Sequence, residues 1–335
     1  MSDLFPLGKL PPDFLAGLLS QYTAHDSRVI LGPRPGEDAA VIDIGPAYLI
    51  AKTDPITFAS DEIGWYAVNI NANDIAATGG TPLWFMASIL YPEGKADRAM
   101  VSRIVSQINA ACDALGITVV GGHSEITYGI NRPIVTGVML GLAPKDRMLA
   151  TGGAQPGDIL IVTKGVPIEA TALIARERPG LLTPCFSTEE IARLSRYLTD
   201  PGLSVVRDAA VALEAGRIHA MHDPTEGGLA SGLWEMAEAA SRTLLVDCTP
   251  ALLPDGLAVC EAADIDPLGA IASGALLISA HPDDAASVIA ALRAAEIAAF
   301  SIGRVEDGPP LVCDLSRGGV LLMRPPRDEI ARLFE

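Results

Sequence analysis

A chain of 335 residues, 49% of them hydrophobic, can bury a large core, and two domains are expected rather than one. Its formal charge of −17 and pI near 4.6 argue against a general nucleic-acid or membrane-surface binder, and no apolar run reaches the roughly 18 residues of a transmembrane helix. Five scattered cysteines (Cys112, Cys185, Cys248, Cys260, Cys313) without a CxxC, and an opening MSDLFPLGKLPP without a basic and an apolar region, are the pattern of a reduced cytoplasmic protein.

Residues 1–35 read as a loosely structured arm with a short helix from Asp13 to Tyr22 and two cations, Lys9 and Arg34, expected on the surface. Gly36-Glu37-Asp38-Ala39-Ala40-Val41-Ile42 runs from a glycine turn with two acids into a strand. A second strand, Tyr48 to Lys52, ends in Thr53-Asp54-Pro55, so Asp38 and Asp54 are expected at strand ends, where loops gather functional groups. The stretch around which the chain is organised follows, residues 65–82. On a helix, Trp65, Val68, Ala72, Ile75 and Ala76 form an apolar stripe, while Asn71, Asp74 and Thr78 share another face. Pro82 is expected to stop that helix. A strand (Leu83–Leu90), a long helix (Lys95–Leu115) and a strand-like Ile117–Val120 lead into Gly121-Gly122-His123-Ser124-Glu125, and Arg132 precedes another strand, Pro133 to Leu142.

Thr-Gly-Gly-Ala-Gln-Pro-Gly near 151–157 marks a boundary between domains at 1–150 and 151–335. The second half continues with a strand (Asp158–Val162) and the turn Thr163-Lys164-Gly165 before a helix, a phosphate-holding geometry that lacks the Gly-Lys-Ser/Thr ending of a P-loop. After two further helices, His222-Asp223-Pro224-Thr225-Glu226-Gly227-Gly228 opens a helix running to Ala240, with Thr225 as its cap and Glu226 at the positive end of its dipole. Strands and helices then alternate to the C-terminus, giving a mixed α/β chain.

Four acidic motifs, Glu37/Asp38, Asp54, Asp74 and Glu125, sit at expected element ends or on the focal helix. Like charges cluster only with cations between them. Magnesium, a hard ion that takes carboxylates, water and phosphates, is the natural one, which points to phosphoryl or nucleotidyl transfer.

Six motifs in order (Gly-Glu-Asp-Ala-Ala-Val, Thr-Asp-Pro-Ile, Asn-Asp-Ile-Ala-Ala-Thr-Gly-Gly-Thr-Pro-Leu, Gly-Gly-His-Ser-Glu, Pro-Gly-Asp and His-Asp-Pro-Thr-Glu-Gly-Gly-Leu) resemble the AIR synthetase, or PurM-like, superfamily over roughly residues 28–305. That superfamily includes thiamine-monophosphate kinase, selenophosphate synthetase and the hydrogenase maturation factor HypE, and the resemblance leans to the HypE branch. It implies two α/β (α+β) domains, with the N-terminal sheet pairing across a homodimer and an α/β sandwich behind it. It also implies ATP and Mg2+ in the cleft and a small-molecule acceptor. Carried over by motif, Asp38, Asp54 and Asp74 hold magnesium, with Glu125 as a substitute ligand. Asn71, Gly121, Gly122, Lys9 and Thr225 contact the nucleotide, and His123 and Glu226 serve the reacting groups. The chain departs from the HypE pattern in ending Arg-Leu-Phe-Glu rather than in a cysteine, and in carrying His123 and Glu226. HypE dehydratase chemistry is therefore disfavoured against phosphoryl transfer or a non-catalytic accessory role in metallocentre maturation.

Overall fold

In a computed structural model, residues 4–5, 7–22, 26–34 and 36–335 are described; part of the opening segment (1–3 and 6) lies outside them. The N-terminal arm carries α1 (Pro12–Leu19). A six-stranded sheet follows, built from β1 (Val29–Leu31), β2 (Ala40–Asp43), β3 (Tyr48–Ile56), β4 (Thr81–Pro92), β5 (Thr118–Thr127) and β6 (Ile134–Ala143), in the order β1-β2-β3-β6-β4-β5. Only the β4–β5 pair is parallel, because α3 (Arg98–Leu115) provides the crossover that a parallel pair needs. Helices α2 (Ile63–Ala77) and α3 cover one face. The strands show this by alternation: along β6, Val135, Gly137, Met139, Gly141 and Ala143 are buried, and the residues between them are half-buried on the open face.

Helix α2 is buried, as its apolar stripe suggests, and its polar face is covered as well. Every residue of it except Trp65 is buried. The second domain closes over its outer side, so that Ala76 and Ala77 join Ile161, Val205 and Ala209 in one apolar cluster. Its polar groups are satisfied across that contact. Asn73 donates to the Leu203 carbonyl and accepts from the Val205 amide, both at 2.8 Å. Ile63 and Ile75 are fully buried, each contributing about 1.5–3 kcal/mol relative to exposure. The helix stops at Gly79, not at Pro82, which lies within β4. Gly79 takes φ +80°, and a Cβ there would meet the Arg147 carbonyl oxygen at 2.2 Å.

The second sheet has seven strands in the order β13-β12-β9-β11-β7-β10-β8. They are β7 (Ile159–Thr163), β8 (Ile218–His222), β9 (Thr243–Val246), β10 (Leu277–Ala280), β11 (Ala299–Glu306), β12 (Leu311–Asp314) and β13 (Val320–Leu321). The helices are α4 (Ile168–Glu177), α5 (Pro179–Leu182), α6 (Thr188–Leu194), α7 (Val206–Ala215), α8 (Gly228–Ala240), α9 (Pro254–Ala263) and α10 (Ala285–Ala294). The period-two rule places Leu160 and Val162 of β7 in a core with Leu229, Leu233 and Met236 of α8. Ile161 faces the opposite way, onto α7 and α10. A third core, shared by α2, α3, α4 and α9, ties the two sheet-containing domains together. No helix among the described residues is long and apolar enough to cross a membrane.

Candidate functional site

The two domains meet at a group of carboxylates. Lys52 and Asp54 stand two residues apart on β3, within the strand rather than at its end, and so face α2 together. The Lys52 Nζ lies 3.0 Å from Asp74 Oδ1 and 3.3 Å from Asp54 Oδ2. Asp38 comes from the turn before β2, and Asp223 from the residue after β8. Oxygens of Asp38, Asp74 and Asp223 all lie within 4.8 Å of one another. Asp74 Oδ2 and both Asp223 oxygens are buried without a hydrogen-bond partner among the described residues. Burial, reinforced by Asp38, pushes the Asp223 carboxyl up to about 8. Burial also lifts Asp74 well above the usual range, although Lys52 opposes it.

Protein cations make part of this crowding tolerable. Besides Lys52, the buried His222 has Nδ1 2.9 Å from Asp38 Oδ2 and Nε2 2.9 Å from Glu235 Oε2. Burial disfavours its charge, but carboxylates at both nitrogens hold the imidazolium well above its ordinary range. Glu235 in turn resists burial: His222, Lys9 and Arg324 hold it down at about 2. What Lys52 and His222 leave uncovered are the partnerless oxygens of Asp74 and Asp223. Hard oxygens from three separate segments, close together and unpaired, fit magnesium and give no reason to expect a softer metal.

Beside this group lies a cavity of about 310 Å³ with apolar walls that include Ile56, Phe58, Ile70 and Ile271. Asp54 reaches its edge. Thr225 was expected to cap α8, but Gly227, at φ +84°, holds the cap position without a side-chain bond. Thr225 Oγ1 instead accepts from Lys9 Nζ at 2.9 Å, and Glu226 Oε2 lies 3.1 Å from the same ammonium. Lys9, read as a surface charge, thus fastens the N-terminal arm across the cavity mouth. Deeper in, Glu169 and Ser273 are buried beside each other, and neither Glu169 Oε2 nor Ser273 Oγ has a well-formed hydrogen bond among the described residues. Burial raises the Glu169 carboxyl to about 8, with Ser273 opposing and Glu226 adding to the rise.

The Gly-Gly-His-Ser-Glu motif does not join this group within the chain. Gly121, Gly122, His123 and Glu125 lie inside β5, the exposed edge strand. Register aligns Asp54, Gly137, Ala87 and Gly122 in one row across the sheet. Gly122 is therefore three strand spacings, roughly 14 Å, from Asp54. His123 and Glu125, one residue out of phase with Gly122, stand on the open face, opposite α2. They bond each other at 3.1 Å. Asn71 is close to the acids but committed to the backbone: its Oδ1 accepts from the Asp54 amide at 2.8 Å, and its Nδ2 donates to the Ala67 carbonyl at 2.8 Å. It positions Asp54 rather than facing the cleft. Lys164 of the glycine turn is likewise spent, on the Ser204 and Gly202 carbonyls at 2.6 and 3.2 Å.

Lys52, His222, Asp223 and Glu169 were not singled out from sequence. Asp223 stood in a quoted motif, and Lys52 was detectable as a cation on the face of β3 that carries Asp54. Gly137 shows how closely the site is built: a Cβ there would lie 2.4 Å from Asn71 Nδ2 and 2.9 Å from Phe85. Gly137→Ala is expected to push Asn71 off the Asp54 amide and to destabilise the fold by about 1–3 kcal/mol, read as a lowered urea midpoint. An unchanged midpoint would show that the row is slack.

Comparison with known proteins matches residues 36–143 to the AIR synthase related protein N-terminal domain and residues 155–316 to the corresponding C-terminal domain. The chain is 32% identical over 268 residues to a carbamoyl dehydratase HypE of Rhodobacter capsulatus, covering 77% of this chain and 74% of that protein. It is 28% identical over 342 residues to a selenide, water dikinase of Citrifermentans bemidjiense, covering 91% and 94%. In fold it is similar to AaThiL complexed with AMPPCP and TMP (TM-score 0.74, 20% identity, 98% and 99% covered). It is also similar to the hydrogenase maturation protein HypE in complex with ATP (TM-score 0.69, 23% identity, 93% and 90% covered). With both domain families matched in order along most of its length, and with the two-sheet architecture they share, the chain belongs to the AIR synthase related, PurM-like family.

Proposed function

We propose that this protein is an ATP-dependent, magnesium-using enzyme that activates a carbonyl, amide-type or phosphate acceptor by phosphoryl transfer. The observation that carries the reading is the set of partnerless oxygens on Asp74 and Asp223 beside Asp38, next to a largely apolar cavity. In this reading Asp38, Asp74 and Asp223 hold magnesium, which supplies charge neutralisation for the phosphates. Lys52 keeps Asp54 and Asp74 in place and adds positive charge toward the same space. Asp54, fixed by Asn71, stands between the carboxylate group and the cavity. His222 is too tightly held between Asp38 and Glu235 to shuttle protons and serves to orient Asp38. The cavity takes the acceptor, with Lys9 holding the arm closed and Glu226 paired to it. Glu169, kept neutral by burial, donates a hydrogen bond from the carboxyl to the acceptor. The similarity to a selenide, water dikinase, to HypE in complex with ATP and to AaThiL complexed with AMPPCP and TMP supports a role for ATP.

The open face of the first sheet supports a homodimer. Leu140, Val138, Met86 and Trp84 stand there half-buried, and β5 presents an exposed edge. Pairing of two such sheets would bring Gly121, Gly122, His123 and Glu125 to the interface.

The test is thermal. Mg–ATP at about 100 times its Kd is expected to add roughly 2.7 kcal/mol of stability, ATP with EDTA much less, and the protein is expected to sediment at twice the 34.9 kDa chain mass. Absence of any Mg-dependent shift would overturn the reading. A shift without nucleotide turnover, with any acceptor, would favour a non-catalytic accessory protein instead.

A further inference from the structure

A second cavity, of about 360 Å³, opens beside the first and shares Leu7, Thr57 and Phe58 with it. Its character is opposite. Arg132, from the turn before β6, and Arg178, between α4 and α5, come from the two domains and both line it. Arg132 donates to the Thr57 carbonyl. The Arg178 guanidinium lies 4.7 Å from the centre of the Phe334 ring, which fixes one of its faces. Neither arginine forms an ion pair among the described residues.

One acid, Glu177, also lines the cavity; its Oε1 accepts the Ser60 and Asp61 amides at 2.5 and 2.8 Å, which leaves two guanidinium groups against one carboxylate. Asp61 Oδ2 takes Arg176 at 2.5 Å, and Glu335 takes Arg327. In a chain of net charge −17, two guanidinium groups lacking ion-pair partners and converging on one cavity are a specific arrangement rather than a surplus. The guanidinium fork matches the oxygens of phosphate and carboxylate.

We infer that the Arg132–Arg178 cavity anchors an anionic group, phosphate or carboxylate, at the far end of the acceptor whose reacting end occupies the Glu169 cavity. The inference rests on reading that cavity as the acceptor site. It narrows the acceptor to an elongated molecule, neutral and polar at the reacting end, apolar past Phe58 and Leu7, and anionic at the tail.

The full chain, with Mg and a non-hydrolysable ATP analogue at saturation to fill the nucleotide site, is titrated with inorganic phosphate or with acetate at constant ionic strength, against chloride, and the melting temperature is followed. Saturable stabilisation by phosphate is expected, weakened about tenfold or more by Arg178→Gln and by Arg132→Gln, and unchanged by Arg103→Gln on α3. Acetate matching phosphate would assign a carboxylate tail; phosphate alone would assign a phosphate ester. Arg178→Gln leaves the Thr57 contact intact, so it reports even if Arg132→Gln folds poorly. A wild type indifferent to both anions, or variants that respond like the wild type, would overturn the inference. A Mg–nucleotide shift kept in every variant shows that the loss is confined to this cavity. Its absence from the wild type would instead count against the proposed function, leaving the phosphate response readable on its own.

Discussion

Asp223→Asn is expected to raise the stability of the nucleotide-free protein by about 1–3 kcal/mol and to abolish the further stabilisation by Mg–ATP. Both effects have one cause. The Asp223 carboxyl is buried with neither oxygen bonded, beside the charge of Asp38. Folding must either leave an uncompensated charge there or hold a proton on it, and each is unfavourable. Asparagine removes the charge at the same volume and with it the ligand. Asp74→Ala is expected to lose the Mg–ATP response too, but with lower nucleotide-free stability, because Lys52 then keeps only Asp54 as an ion-pair partner. Loss of the response in both variants, at opposite signs of nucleotide-free stability, separates lost ligation from a lost fold. Melting curves of both variants, with and without Mg–ATP, check it. An Asp223→Asn protein that retains the full Mg–ATP shift would remove Asp223 from the metal set.

The same residues show how far the sequence could be read. Periodicity put a helix within 65–82, where the fold has it at 63–77, and put Asn71, Asp74 and Thr78 on one face of it; that Asp38 arrives beside Asp74 is a property of the fold. Periodicity could not show that α2 is buried on its outer side, because a helix closed over by a second domain has the same local pattern as one at the surface. Asn73, which secures that closure, carries no local signal of its partners Leu203 and Val205. Motif spacing put Gly-Gly-His-Ser-Glu among the acids, since a glycine pair before polar residues reads as a loop. Yet the strand runs straight through it, and the crossover by α3 sets β5 at the edge, three strands from Asp54. Asp223, between His222 and Pro224, passed as part of a helix start. Its importance lies in what it lacks, a partner, and that is a property of the fold alone. The electrostatic reasoning that anticipated a cation among the acids was sound in kind, but it did not consider that Lys52 and His222 would serve as two of them.

Glu169→Gln is expected to flatten the dependence of stability on pH between about 5 and 8. Burial raises the Glu169 carboxyl from 4.5 to about 8 in the folded protein, while the unfolded chain ionises near the ordinary value. Between those two values the folded state binds the proton and the unfolded state does not. Stability from this group is therefore full below the unfolded value, falls as pH rises, and is gone once pH passes about 8. The distance between the two, at 1.36 kcal/mol for each pH unit, sets a ceiling of about 5 kcal/mol; relaxation and water entry bring the expected change to about 1–3 kcal/mol. Glutamine stays neutral throughout, so the advantage of the variant should be small at pH 5, grow through pH 6.5 and level off above pH 8. Urea midpoints of both proteins at those three values measure it, and parallel profiles would show that water or a rearranged Ser273 already solvates the carboxylate. If the neutral carboxyl is also the donor to the acceptor, wild-type turnover should decline above pH 8 while Glu169→Gln, whose amide still donates, holds its rate. A variant that declines in step with the wild type would place the titrating group elsewhere in the cleft.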